Sequence, residues 1–113
     1  MIRDTESFSK MDPYCIIALL GDDKSHKTRT HQGGGKTPRW GDEFEIKVTN
    51  MSKELRFSVF DEDVTSSDKI GYVVLKYGAL CFNNGINDWF NIFYENRLSG
   101  QIYLETRYSG PIL

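Results

Sequence analysis

Long apolar runs, cysteines, histidines and net charge are all scarce in this chain, and each scarcity removes a class of protein. No apolar stretch approaches the roughly 20 residues a helix needs to cross a bilayer, and the polar start "MIRDTESFSK" is not a signal peptide. Two cysteines, Cys15 and Cys81, are too few for a disulfide framework. Cys15 lies inside an apolar run, which predicts a buried free thiol and a reducing compartment. The two histidines, His26 and His31, have no third ligand at a zinc-binding spacing and read as solvated strand residues. Net charge is only -2, so no global field selects a polyanion such as nucleic acid, and any electrostatic function has to come from local patches.

What is present describes a folded globule. At 113 residues, with 39% hydrophobic and 13% aromatic content, the chain predicts one domain spanning 1–113, soluble and cytoplasmic. Its periodicity is mostly two. In "EFEIKV" (43–48), Phe44, Ile46 and Val48 share one face, while Glu43, Glu45 and Lys47 share the other. "LRFSVF" (55–60), "HKTRTH" (26–31), "IGYVVLK" (70–76), "DWFNIF" (88–93) and "QIYLETR" (101–107) read as further strands, and the nearly all-apolar "YCIIALL" (14–20) as a strand buried on both faces. Turn-rich separators such as "LGDDKS" and "YENRLSG" divide them, with one helical turn expected near "YGALCF" (77–82). The pattern predicts an all-β fold, an antiparallel Greek-key β-sandwich of about seven or eight short strands.

"GGGKT" (33–37) looks like the end of a nucleotide-binding loop, but Thr30 stands where that motif needs its first glycine. Pro38 and a strand-like stretch follow, where a helix would have to open. The segment is read as a turn.

The apolar run Leu55, Phe57, Val59, Phe60 ends abruptly in Asp61, Glu62 and Asp63, with Asp68 a few residues on. Like charges so close repel unless water or a cation dilutes them. On an extended chain Asp61 and Asp63 project the same way and Glu62 turns aside, and Asp68 returns to them if "VTSSD" forms a loop. Asp4, Glu6 and Asp12 flank a second loop-like stretch. Carboxylates from separate loops suit a hard cation such as calcium; solvated acids at loop tips are the alternative. An EF-hand is excluded, since Ser66 and Tyr72 stand where glycine and glutamate are required.

Here the residues resemble the C2 domain, a calcium- and phospholipid-binding β-sandwich family. "MDPYCIIALL" resembles its Asp-Pro-Tyr strand opening, and "TPRWGDEFEIKV" its Asn-Pro-x-Trp-Asn-Glu-x-Phe stretch, with Thr37 and Gly41 departing. "FSVFDEDVTSSDKIGY" resembles its third calcium loop and "GQIYLETRY" its final strand, all in the family's order from about Ile2 to Tyr108. The resemblance implies calcium ligands at Asp12, Asp61, Asp63 and Asp68. In the first loop Glu6 occupies the usual ligand position, with Asp4 as a substitute. It also implies a further strand before the first loop, which would be missing here, taken from another chain, as a homodimer or by strand exchange, or supplied by upstream sequence.

Lys24, Lys27, Arg29, Lys36, Arg39 and Lys47 place six of the fourteen basic residues between positions 24 and 47. By the resemblance, Lys27, Arg29 and Lys47 lie on a basic face that contacts anionic lipid head groups; a solvated face balanced by Glu43 and Glu45 is the alternative. Phe8 and Val64 are loop residues placed to enter a bilayer, although Phe8 reads first as core. Trp40 and Trp89 are expected in the core. No nucleophile–base pair points to an enzyme. The expected function is calcium-dependent, peripheral attachment to anionic phospholipid membranes; the alternative is a calcium-independent protein-interaction module.

Overall fold

A computed structural model describes residues 12–21, 24–31, 40–62 and 67–110, and of Ser67 and Asp68 the backbone alone. Alternating segments become ladders wherever a neighbour is available. β1 (Pro13–Leu19) pairs antiparallel with the short β2 (Ser25–Lys27) and, along its whole length, with β3 (Glu54–Glu62). β4 (Ser67–Lys76) follows on β3, and β5 (Asn87–Tyr94) and β6 (Arg97–Glu105) form a hairpin. That hairpin turns at Glu95 and Asn96, both at positive φ, the backbone form whose twist matches the strands it joins. The predicted helical turn is α1 (Tyr77–Leu80), followed by a 3-10 turn at Phe82–Asn84.

The order is β2-β1-β3-β4-β5-β6, all antiparallel. The pairing of β1 with the non-consecutive β3 is the kind of crossing a Greek-key connection makes. Between β4 and β5 a single residue pair, Tyr72 with Phe93, carries the sheet across. The sheet folds there into two leaves, as the all-β sandwich expectation requires. One core collects both: Cys15, Ile17, Leu55, Phe57, Val59 and Ile70 from the first leaf, Ile92 and Ile102 from the second, with Tyr77 and Leu80 of α1 packed among them.

Three readings change. Six strands are present among the described residues, because 43–48 has no ladder assignment. Its side chains do alternate: Phe44, Ile46 and Val48 pack against the core, and Glu43, Glu45 and Lys47 are exposed. Side-chain patterning places the segment, but a strand also needs backbone partners, and the described residues supply none. "HKTRTH" keeps only its first residues as strand, since Thr28 turns inward. Its hydroxyl accepts a 2.9 Å hydrogen bond from the Cys15 amide and donates one of 2.8 Å to the Arg29 carbonyl. Trp89 is not core but 57% exposed. In "DWFNIF" both alternating rows carry aromatics, and Ile92, wholly buried, draws Phe90 inward and turns Trp89 and Phe93 outward. Trp40 does pack against the core.

Candidate functional site

A β-bulge decides what faces what at the acidic end of the sheet. Val59 pairs with Gly71, but Phe60 pairs with Lys69, so Ile70 is the extra residue. Without it Asp61 would oppose Lys69. With it Asp61 opposes Asp68, and Glu62 opposes Ser67. Ile70 is 0% exposed, so burial of its side chain stabilises the bulge, by about 2 kcal/mol on the usual area scale.

β1 brings the third acid. Pro13 pairs with Asp61, which puts Asp12 beside the end of β3. The Asp12 amide donates a 2.9 Å hydrogen bond to Asp61 Oδ1, and the Glu62 amide donates one of 2.9 Å to the Asp12 carbonyl. Backbone pairing thus converges Asp12, Asp61 and Asp68 on one end of β1, β3 and β4. Directly opposed like charges destabilise a sheet, and Asp61 has no cationic partner among the described residues. Glu62 does turn aside: its carboxylate accepts a hydrogen bond from the Thr30 hydroxyl.

Neighbouring segments brace this end. The Pro13 carbonyl accepts hydrogen bonds from the His31 amide at 2.9 Å and from Trp40 Nε1 at 2.8 Å. Arg29 is held by Asp42, at 3.4 Å from Nε and 3.2 Å from its amide, and its Nη2 donates to the Trp40 carbonyl at 3.1 Å. Thr30, Trp40 and Asp42 were not legible as site residues, since each acts through hydrogen bonds to residues distant in sequence that no sequence pattern announces.

The donor set is all oxygen, which suits a hard divalent cation. Asp61 Oδ1 accepts the hydrogen bond of the Asp12 amide, and Oδ2 takes no part in that bond. No cluster of three or more acidic, histidine or cysteine side chains is assembled among the described residues. Asp4, Glu6, Phe8, Asp63 and Val64 lie outside them, as does "GGGKT".

The three basic candidates are not equivalent. Lys27 Nζ lies 4.4 Å from the centre of the Tyr14 ring, which in turn stacks on Phe60 at 5.4 Å. Arg29 is committed to Asp42 although 76% of its side chain is exposed, and Lys47 is exposed on the unladdered segment. His26 is half-buried, its ring 5.0 Å from that of Phe44. Both cysteines are free thiols, and burial pushes the Cys15 thiol up to about 12.

Known proteins match both sequence and fold. The family model for the C2 domain matches residues 2–92. The 16 kDa phloem protein 2 of Arabidopsis thaliana is 26% identical over 105 residues, covering 91% of this chain and 70% of that protein. Other curated relatives are far longer, and the chain spans only 8% to 12% of them. A C2 domain of plant Extended Synaptotagmin 1 superposes with a TM-score of 0.76 at 23% identity, over 97% of this chain and 88% of that one. A calcium-bound pair of C2 domains from Extended-Synaptotagmin 2 gives a TM-score of 0.71 at 23% identity, over 86% of this chain and 35% of that one.

Proposed function

The chain belongs to the C2 domain family, and from that premise we propose that it is a calcium-dependent module for binding anionic phospholipid membranes. The observation that carries this reading is the bulge-set register that opposes Asp61 with Asp68 while hydrogen bonding fixes Asp12 to Asp61. Asp61 Oδ2, Asp12 and Asp68 would hold calcium, with Asp63 and Glu6 or Asp4 completing the set from the flanking loops. Calcium, when bound there, supplies positive charge and coordination positions open to phosphate oxygens.

The chain's own residues do the rest. Before loading, the acidic end repels an anionic surface, which keeps the protein in the cytoplasm. Once that repulsion is gone, Lys27 and Lys47 add attraction, and Phe8 and Val64, which lie outside the described residues, would be the ones to insert. Arg29 contributes less, because Asp42 already takes part of its charge. No catalytic step is assigned to the chain.

A second reading, a calcium-independent protein-interaction module, is favoured by the outer face of β5 and β6. Trp89 and Tyr103 meet there edge to face at 5.3 Å while about half exposed. Sedimentation with phosphatidylserine vesicles separates the two. Recruitment in calcium and release by chelator supports membrane binding; no sedimentation with any anionic lipid favours the protein partner.

A further inference from the structure

Exposed apolar side chains gather where the two leaves of the sandwich join. Tyr72 pairs with Phe93, Phe93 pairs with Leu98, and Val74 stands two residues beyond Tyr72 on the same face of β4. Tyr72, Val74, Phe93 and Leu98 are 40%, 37%, 41% and 41% exposed. A lone exposed apolar residue is ordinary on a protein surface, but a contiguous group marks a contact site. The patch has a boundary. On the next outward row of the hairpin Gln101 Nε2 donates to Asn91 Oδ1 at 3.0 Å, and this polar pair separates it from Trp89 and Tyr103.

Charge around the patch has mostly one sign. Arg56 opposes Val74, is exposed, and has no carboxylate partner among the described residues. Lys69 Nζ lies 4.7 Å from the centre of the Tyr72 ring, and the exposed Lys76 follows Val74 by two residues. Across the ladder of β3 with β4, the one carboxylate opposed to any of these cations is Glu54, which faces Lys76.

We propose that this patch docks an amphipathic helix of a partner protein, its apolar stripe flanked by carboxylates. Main-chain groups lie in the plane of a sheet, so a partner lying over the outer face meets side chains alone. It has to satisfy its own backbone, as a helix does. The dimensions agree: the four side chains span about two strand spacings, roughly 10 Å, and an i, i+4, i+7 stripe covers about the same length of helix. Arg56 and Lys69 would meet the flanking carboxylates, with Tyr72 and Phe93 as the aromatic anchors. Asp12, Asp61 and Asp68 lie at strand ends, away from this side face, so the docking does not rest on the calcium reading.

The test titrates the full chain, in chelator, into fluorescent synthetic peptides of about fourteen residues, roughly four helical turns. Both carry a leucine stripe at helical spacing; one fills the flanks with glutamate and alanine, the other with lysine and alanine. The acidic peptide should bind at least about tenfold tighter and shift the amide resonances of residues 72, 74, 93 and 98. Arg56→Glu should cancel that preference, and Phe93→Ser should weaken binding of the acidic peptide about tenfold. Both variants should keep calcium-dependent recruitment to phosphatidylserine vesicles, so failure here is distinct from failure of the membrane reading. Equal binding of the two peptides, or none, would overturn the proposal. So would shifts at these residues that grow with protein concentration alone, which would make a second copy the occupant. Vesicle binding in chelator that Arg56→Glu abolishes would overturn it too, in favour of anionic lipid.

Discussion

The Asp12 amide and Asp61 Oδ1 are joined by a 2.9 Å hydrogen bond that ties the first residue before β1 to the acidic end of β3. The bond separates two roles of Asp61. Asparagine keeps a side-chain oxygen for the Asp12 amide and removes the charge that a cation needs. Asp61→Asn with Asp63→Asn should therefore leave the calcium-free protein as stable as before or slightly more so, and abolish the calcium-induced rise in Tm. For the unaltered protein that rise should be on the order of 10 °C at a hundredfold excess over Kd, from about 2.7 kcal/mol of linkage. Asp61→Ala also loses the hydrogen bond and should cost about 1 kcal/mol without calcium. Calorimetry of the three proteins with calcium and with chelator checks this, and an undiminished shift in the double variant would place the site elsewhere. Magnesium should shift Tm less, because it sheds water reluctantly.

Membrane recruitment should divide into two parts that respond to different perturbations. Chelator should release the protein wherever the acidic end governs attachment, and raised salt should weaken whatever the basic face contributes. Lys47→Ala should lower partitioning onto phosphatidylserine vesicles about fivefold, the equivalent of about 1 kcal/mol per basic residue near the surface. Arg29→Ala should lower it less, and should instead loosen the clasp to Asp42 and Trp40. Vesicle sedimentation of both variants measures the difference; a larger loss for Arg29→Ala would mean that the ion pair opens on binding.

The strands that were legible in the sequence are those in which pattern and pairing agree. In "LRFSVF" one row is apolar, and Leu55, Phe57 and Val59 are 2%, 4% and 1% exposed. "DWFNIF" carries aromatics on both rows, so alternation does not choose a face, and Trp89, expected in the core, is exposed. In 43–48 the face was right and the ladder absent, since periodicity reports where side chains go and says nothing of what the backbone meets. At the candidate site the acids themselves stood out as a break in an apolar run. The bulge at Ile70, which exchanges Lys69 for Asp68 opposite Asp61, is a register property with no composition signal.

Cys15 supplies a pH dependence whose sign is fixed by its burial. The thiol is 4% exposed, and its folded pKa is pushed up to about 12 from an ordinary value near 9.0. Between those values the unfolded chain gives up the proton and the folded one keeps it, so the unfolded state binds fewer protons and stability falls as pH rises. Below pH 9 the group contributes no slope. Denaturant unfolding should therefore show a Cys15-dependent loss of up to about 1.4 kcal/mol per pH unit above pH 9, missing in Cys15→Ala. Thiol labelling near neutral pH should reach the half-buried Cys81 first and Cys15 only on unfolding.

Gly71 and Ser99 come together where the two leaves join. A Cβ on Gly71 would fall on the Ser99 hydroxyl and lie 3.1 Å from the Phe93 carbonyl oxygen and 3.3 Å from Ile92 Cδ1. Ser99 has little room to move: it is 1% exposed and donates a 3.2 Å hydrogen bond to the Ile92 carbonyl. Gly71→Ala should cost about 1–3 kcal/mol through overpacking rather than backbone strain, since this glycine has no left-handed φ. Ser99→Ala should cost about 1 kcal/mol by itself, for the lost hydrogen bond. Together the two should cost less than the sum of the single changes, because removing the hydroxyl clears the nearest clash while the Phe93 carbonyl remains. A double-mutant cycle by denaturant unfolding gives the coupling directly. Strict additivity would mean that the backbone, not the Ser99 side chain, sets the limit at position 71. Because Gly71 also pairs with Val59 at the edge of the bulge, Gly71→Ala should weaken calcium binding as well, by disturbing the register that opposes Asp61 with Asp68. Calcium titration of the folded Gly71→Ala protein, compared with Ser99→Ala at matched stability, separates that effect from general loosening.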